Sequence, residues 1–291
     1  MLTLTHWPGI PSPPGVEADL SAEMALRYVD LGGGLHGDAE IVSNNHFDQD
    51  GLVGVYTLSH PEDALRRRDL LADIAAAGDF GTYRHRTAAR ISMVLARLRP
   101  AGDPYVEGLE LLPNLMDDID DFRDTWAEED EALRVAEAAI AGGRITIEEE
   151  PDLDLAIVSV PADEPVGGGH RFAHLRDDGV HPMAIHNATG CFRLAVVRGR
   201  RYELRYRYES WVQYRTRRPL PRIDLAPLAE ELDRLEGADD GRWQAEAVGG
   251  LAPRLHLAEG ATSKIDPTAF LDRVRAHLRA GVPAWDPYDA P

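Results

Sequence analysis

In "SNNHFDQDG", residues 43–51, His46, Asp48 and Asp50 recur at every second position, and Gly51 closes the run. On an extended segment that spacing projects three potential ligands to one side. Two carboxylates held together repel unless a proton or a cation neutralises them, and a divalent cation does so while taking both as oxygen ligands. An imidazole among carboxylates suits manganese, zinc or iron, with magnesium where oxygen ligands dominate. A calcium loop of the EF-hand type is excluded: counted from His46, its twelfth position is Thr57, where that loop needs a bidentate glutamate. The structural alternative is a polar turn at Asp50-Gly51 with His46 at the surface.

Such a loop needs elements to hold it. Ala39–Ser43 is short, β-branched and followed by polar residues, which predicts a buried strand delivering the loop at its carboxyl end, with "LVGVYTL" starting a helix behind it. Upstream, "GIPSPPG" must be a loop. "ADLSAEMALRYVDLGGG" reads as a helix capped by Asp19 or Ser21 and ended by glycines. Residues 61–77 form a second helix, and helical patterns recur in "TAARISMVLARL" and "WAEEDEALRVAEAAIAGG". From about residue 145 the texture changes to short β-rich runs: "ITIEEE", "LDLAIVSV", "HPMAIHNA", "CFRLAVV" and "RYELRYRYESWVQYR". The last alternates tyrosine with arginine, the period-two pattern of a half-exposed strand. Helices follow at "DLAPLAEELDRLEG" and "DPTAFLDRVRAHLRAG", around a strand at "PRLHLAE". The expected fold is α/β: an amino-terminal α/β metal-binding domain over 1–145, with a second, smaller α+β accessory or substrate domain over 146–291.

A strand followed by H-x-D-x-D-G and an apolar helix resembles the first motif of the DHH phosphoesterase superfamily. That resemblance implies hydrolysis of phosphoester bonds in a nucleotide or short oligonucleotide-type substrate by metal-activated water, with one or two Mn2+ or Mg2+ ions. His46 and Asp48 would hold one ion and Asp50 the other. The later Gly- and Asp-containing metal motif resembles "AAAGDFG", which implies Asp79 as a ligand; the structural alternative is a helix cap. The family's Asp-His-His tripeptide is absent from the chain. The nearest match is "LTLTHWPG", where His6 would stand as its counterpart, placed before the loop in a permuted order. "PVGGGHRFAH" matches the family's Gly-Gly-Gly-His in Gly167, Gly168, Gly169 and His170, which implies a substrate-phosphate contact; otherwise it is a loop. His85, between Arg84 and Arg86, is a further candidate for the phosphate. The rival reading is a non-catalytic binding or regulatory protein that keeps a DHH-like fold with a degenerate metal site.

Charge limits the partners. At a net charge of −19 the chain repels nucleic acid and anionic lipid unless positive charge is local. Ten arginines between Arg193 and Arg222 supply one such stretch, either as a track for a short single-stranded nucleic acid or as an amphipathic strand paired with local glutamates. The expected partners are therefore a small phosphorylated molecule or a short single strand, with no membrane and a homodimer allowed. No window approaches a membrane span, the amino terminus lacks an export pattern and Cys191 stands alone, so the expected compartment is the cytoplasm.

Overall fold

The computed structural model describes residues 1–33, 41–98, 102–164, 180–237, 242–258 and 261–289. Helices and a multi-strand sheet are mixed, as the α/β class requires. Among the described residues, however, everything regular before residue 146 is helical: α1 (Ser21–Asp30), α2 (Gln49–Ser59), α3 (Pro61–Arg66), α4 (Arg68–Asp79), α5 (Arg86–Ala96), α6 (Pro104–Asp117) and α7 (Arg123–Ala141). The strand expected before the H-x-D-x-D-G loop does not form over 41–43. Ile41 and Val42 are exposed, and among the described residues no strand pairs with them. The helix expected over 61–77 is broken at Arg67 into α3 and α4.

The carboxyl-terminal half builds β1 (Thr146–Glu150), β2 (Leu155–Val160), α8 (Pro182–Ala188), β3 (Arg193–Arg198), β4 (Arg201–Tyr206), β5 (Arg222–Ile223), α9 (Ala226–Glu236), β6 (Trp243–Ala245), β7 (Arg254–Leu257), α10 (Pro267–Ala280) and β8 (Pro283–Trp285). Six strands pair in the order β1-β2-β3-β4-β7-β6, with β2 and β3 parallel and the other pairs antiparallel. "HPMAIHNA" is the helix α8, not a strand: Pro182 sits at its first position, where a missing N–H costs nothing.

Alternation along β2 and β3 explains the layers. Ala156, Val158, Leu194 and Val196 join a core shared with the amino-terminal helices, so that core runs continuously across residue 145. Leu155, Ile157, Ala195 and Val197 face the other way, onto α9 and α10. The sheet is therefore covered on both faces, which overturns the half-exposed strand expected at 201–215. Glu203 and Arg205 are buried, and the strand ends at Tyr206, where Tyr208–Ser210 turns as a 3-10 helix.

Several of the ten arginines are structural. Arg222 is fully buried and donates to the carbonyls of Val248, Gly250, Leu251 and Arg207 and to Ser210 Oγ, burial having lowered its pKa to about 9. Arg193 reaches the carbonyls of Leu153 and Pro221, and Arg207 pairs with Glu209. No helix among the described residues is long and apolar enough to cross a membrane.

Candidate metal centre

A close helix crossing sets the geometry. α2 and α4 meet where Gln49 packs on Gly78: a Cβ on Gly78 would lie 2.5 Å from Gln49 Cβ. Because residue 78 has no side chain, the helices approach closely enough for Asp50, the residue after Gln49, to stand beside Asp79, the residue after Gly78. Gln49 is itself fixed by a 2.9 Å bond from Nε2 to the Ser92 carbonyl on α5. Gly78→Ala is expected to destabilise by about 1–3 kcal/mol through overpacking and to weaken metal binding with it; a two-state melt that matches the unsubstituted protein would refute this account of the crossing.

The third member comes from the amino terminus. His6 follows residues that form no strand, and it is held by its neighbours: its carbonyl accepts from Gln213 N, and Nδ1 lies 2.7 Å from the Asp19 carbonyl. A carbonyl only accepts, so Nδ1 carries a proton and Nε2 is the nitrogen turned to the cluster. It faces Asp79 Oδ2 at 3.8 Å and the Tyr208 hydroxyl at 3.3 Å. Ligand atoms of His6, Asp50 and Asp79 all lie within 4.8 Å of one another, and all three residues are buried.

Each carboxylate has its own environment. Asp50 caps α1, the role expected of Asp19 or Ser21: Oδ2 accepts from Ser21 N at 2.9 Å and Oδ1 from Ala22 N at 2.7 Å. Both oxygens thus sit against the positive end of a helix dipole. Burial nevertheless pushes the Asp50 pKa up, partly countered by His6 and the two N–H groups. Asp79 has no such support. Its pKa is raised well above the usual range, first by burial and then by the neighbouring carboxyls of Asp48, Asp50 and Glu209. Its Oδ1 is buried without a hydrogen-bond partner. A buried, acceptor-only oxygen among like charges is the condition a divalent cation relieves, and imidazole with two carboxylates is a donor set that manganese or magnesium accepts. The residues present fit a metal.

His46 and Asp48 lie at the rim. Asp48 caps α2 through Gly51 N, and its Oδ2 is 2.6 Å from His46 Nε2, which raises the imidazole's pKa. His46, Asp48 and Asp50 do not project together from an extended segment, because the chain turns into α2 at Asp48 and only Asp50 enters the cluster. Asn44 and Asn45 hold this loop: Asn44 accepts from Asn45 N and donates to Tyr105 Oη, Tyr105 donates to the His46 carbonyl, and Asn45 Oδ1 meets His46 Nδ1.

His85 is placed elsewhere, its N–H and Nδ1 both on Asp73 at the start of α5. Gly167, Gly168, Gly169 and His170 lie outside the described residues. Sequence reasoning misses Tyr208. Its hydroxyl reaches His6 across 202 positions of chain, a contact that no local pattern announces. Burial and the three aspartates push the Tyr208 pKa up, so the phenol keeps its proton.

Fold and site together define a mixed α/β protein with a buried His-Asp-Asp cluster at the junction of its helical layer and the end of its sheet. The chain belongs to the family of unknown function DUF6687, which is matched over residues 1–289. No curated protein and no solved structure matches it.

Proposed function

We propose that this protein is a divalent-metal-dependent hydrolase of phosphoester bonds, by the chemistry of its cluster rather than by a DHH-type strand before the loop. One observation carries the reading: His6, Asp50 and Asp79, from three separate segments, bring ligand atoms within 4.8 Å in a buried site. His6 Nε2 and the two carboxylates would hold Mn2+ or Mg2+. The ion supplies Lewis acidity toward a phosphoryl oxygen and lowers the pKa of water.

The chain's own residues do the rest. Asp19, through its carbonyl, fixes the His6 tautomer, and the α1 N-terminus fixes Asp50. The Tyr208 O–H is a donor that keeps its proton and stands at the cluster, able to meet a phosphoryl oxygen. The half-exposed His46, paired with Asp48, places an imidazole at the rim where an anionic substrate enters. The missing tripeptide favours a degenerate site; His6 at 3.8 Å from Asp79 supports the opposite reading, that a ligand from before the loop would take the place of the one absent after it.

The test is metal content of the purified protein, followed by hydrolysis of bis-p-nitrophenyl phosphate, short oligonucleotides and cyclic dinucleotides in manganese. Expected are bound metal and manganese-dependent cleavage, both lost in Asp79→Ala. A protein that binds no manganese, or that binds it and cleaves none of these substrates, overturns the proposal.

A further inference from the structure

Asp50 and Asp79 stand on α2 and α4, whereas His6 lies in a segment without regular structure. The backbone groups of such a segment are not committed to a helix or a sheet, so its position depends on the other bonds it makes. Leu4, Val16 and Ala18 of this segment pack with Met24 and Tyr28 in a small cluster apart from the two main cores. His6 itself is held by a closed ring of hydrogen bonds. Its Nδ1 bonds the Asp19 carbonyl at 2.7 Å. The Asp19 carboxylate then reaches across 197 positions of chain: Oδ1 accepts from the N–H groups of Arg215 and Thr216, and Oδ2 from the Thr216 hydroxyl. Gln213 N, from the same stretch, returns to the His6 carbonyl at 2.8 Å. His6 is thus gripped at its ring and at its backbone, and Asp19 joins the two grips.

We infer that Asp19 is a positioning residue of the metal centre: by closing this bracket, its carboxylate aims His6 Nε2 at Asp50 and Asp79. The inference rests on the metal part of the function proposed above. A ligand on an irregular segment must otherwise be ordered by the ion itself, and that ordering costs affinity. A carboxylate suits the task because it only accepts, and so can take three donors at once. The bracketed stretch follows Tyr208, whose hydroxyl meets the same His6 nitrogen, so the bracket also ties the Tyr208 segment to His6.

The experiment is a double-mutant cycle on manganese affinity in the full chain, read from the EPR signal of the free ion, which follows weak binding as well as tight. Asp19→Ala is expected to weaken binding about 10–100-fold, the scale of an outer-shell partner. Asp19→Asn should restore it, since the amide oxygen still accepts the two N–H groups and the amide nitrogen donates to Thr216 Oγ1, which can accept. In a His6→Ala background, Asp19→Ala should change the affinity by no more than about twofold, the scatter between uncoupled sites. Unchanged affinity in Asp19→Ala, or an asparagine no better than alanine, overturns the bracket. So does a loss that persists undiminished without His6, which would place the effect of Asp19 on α1 and Asp50 instead. Circular dichroism checks the fold of each variant. Should Asp19→Ala fail to fold, Thr216→Val decides, because it removes one bond of the bracket at an exposed residue: a loss of about two- to tenfold is expected, and no loss overturns the inference. Each of these failures leaves the metal reading standing, whereas a full chain that binds no manganese removes that reading and the role of Asp19 with it.

Discussion

Replacing Asp50 by alanine is expected to abolish manganese binding and to loosen α1 in the same step. This carboxylate has two tasks: a ligand oxygen in the cluster, and acceptance of the Ser21 and Ala22 N–H groups at the start of α1. Losing a ligand should cost more affinity than the roughly 10–100-fold typical of an outer-shell partner. Losing the cap strands two N–H groups, about 2–4 kcal/mol, offset in part by relief of repulsion from Asp79. The net expectation is ~1–3 kcal/mol of lost stability in the metal-free chain. Asp50→Asn would not rescue the cap, because both side-chain positions must accept and an amide offers one acceptor and one donor. The checks are chemical denaturation in EDTA and titration with manganese. Full stability in Asp50→Ala would show that α1 does not depend on this bond, and unchanged manganese affinity would remove Asp50 from the ligand set.

How these residues meet shows what a sequence can and cannot disclose. The spacing in "SNNHFDQDG" marks a loop that gives Asp50 to the buried cluster, and the Gly-Asp pair at 78–79 marks the helix end that gives it Asp79. Which ligand goes where is not legible. An every-second-residue rule assumes extended backbone, and the chain becomes helical at Gln49, so Asp50 turns inward while His46 and Asp48 stay at the rim. The strand expected at Ala39–Ser43 fails over 41–43 because a β-branched run becomes a strand only where a neighbour pairs with it, and among the described residues the strands all follow residue 145. The amphipathic reading of 201–215 finds the alternation and misses its second cover, since burial of a charged face depends on helices far away in sequence. His6 and Tyr208 are the extreme case: their contact spans most of the chain.

Asp79→Asn is expected to do the opposite of most substitutions at a buried site: remove metal binding yet stabilise the metal-free protein. Asp79 is buried among Asp48, Asp50 and Glu209, and its pKa in the folded chain lies well above that of an unfolded aspartate. Its contribution to stability is therefore complete below the unfolded pKa, near 3.9, and is lost as pH rises through the raised folded value. In EDTA the unsubstituted chain should thus lose stability from mildly acidic toward neutral and alkaline pH. Asparagine cannot ionise, so this loss should flatten. The variant should melt a few degrees higher at neutral pH, on the order of 1–3 kcal/mol for removing an uncompensated buried charge. Manganese should raise the melting temperature of the unsubstituted protein and leave that of Asp79→Asn unmoved, since an ion bound only to the folded state stabilises in proportion to its occupancy. Thermal melts across pH, with and without manganese, separate the outcomes. If Asp79→Asn melts lower than the unsubstituted chain in EDTA at neutral pH, the buried carboxylate is a structural acceptor and the charge repulsion is not there to be relieved. If manganese stabilises both proteins alike, the ion sits elsewhere and Asp79 does not hold it.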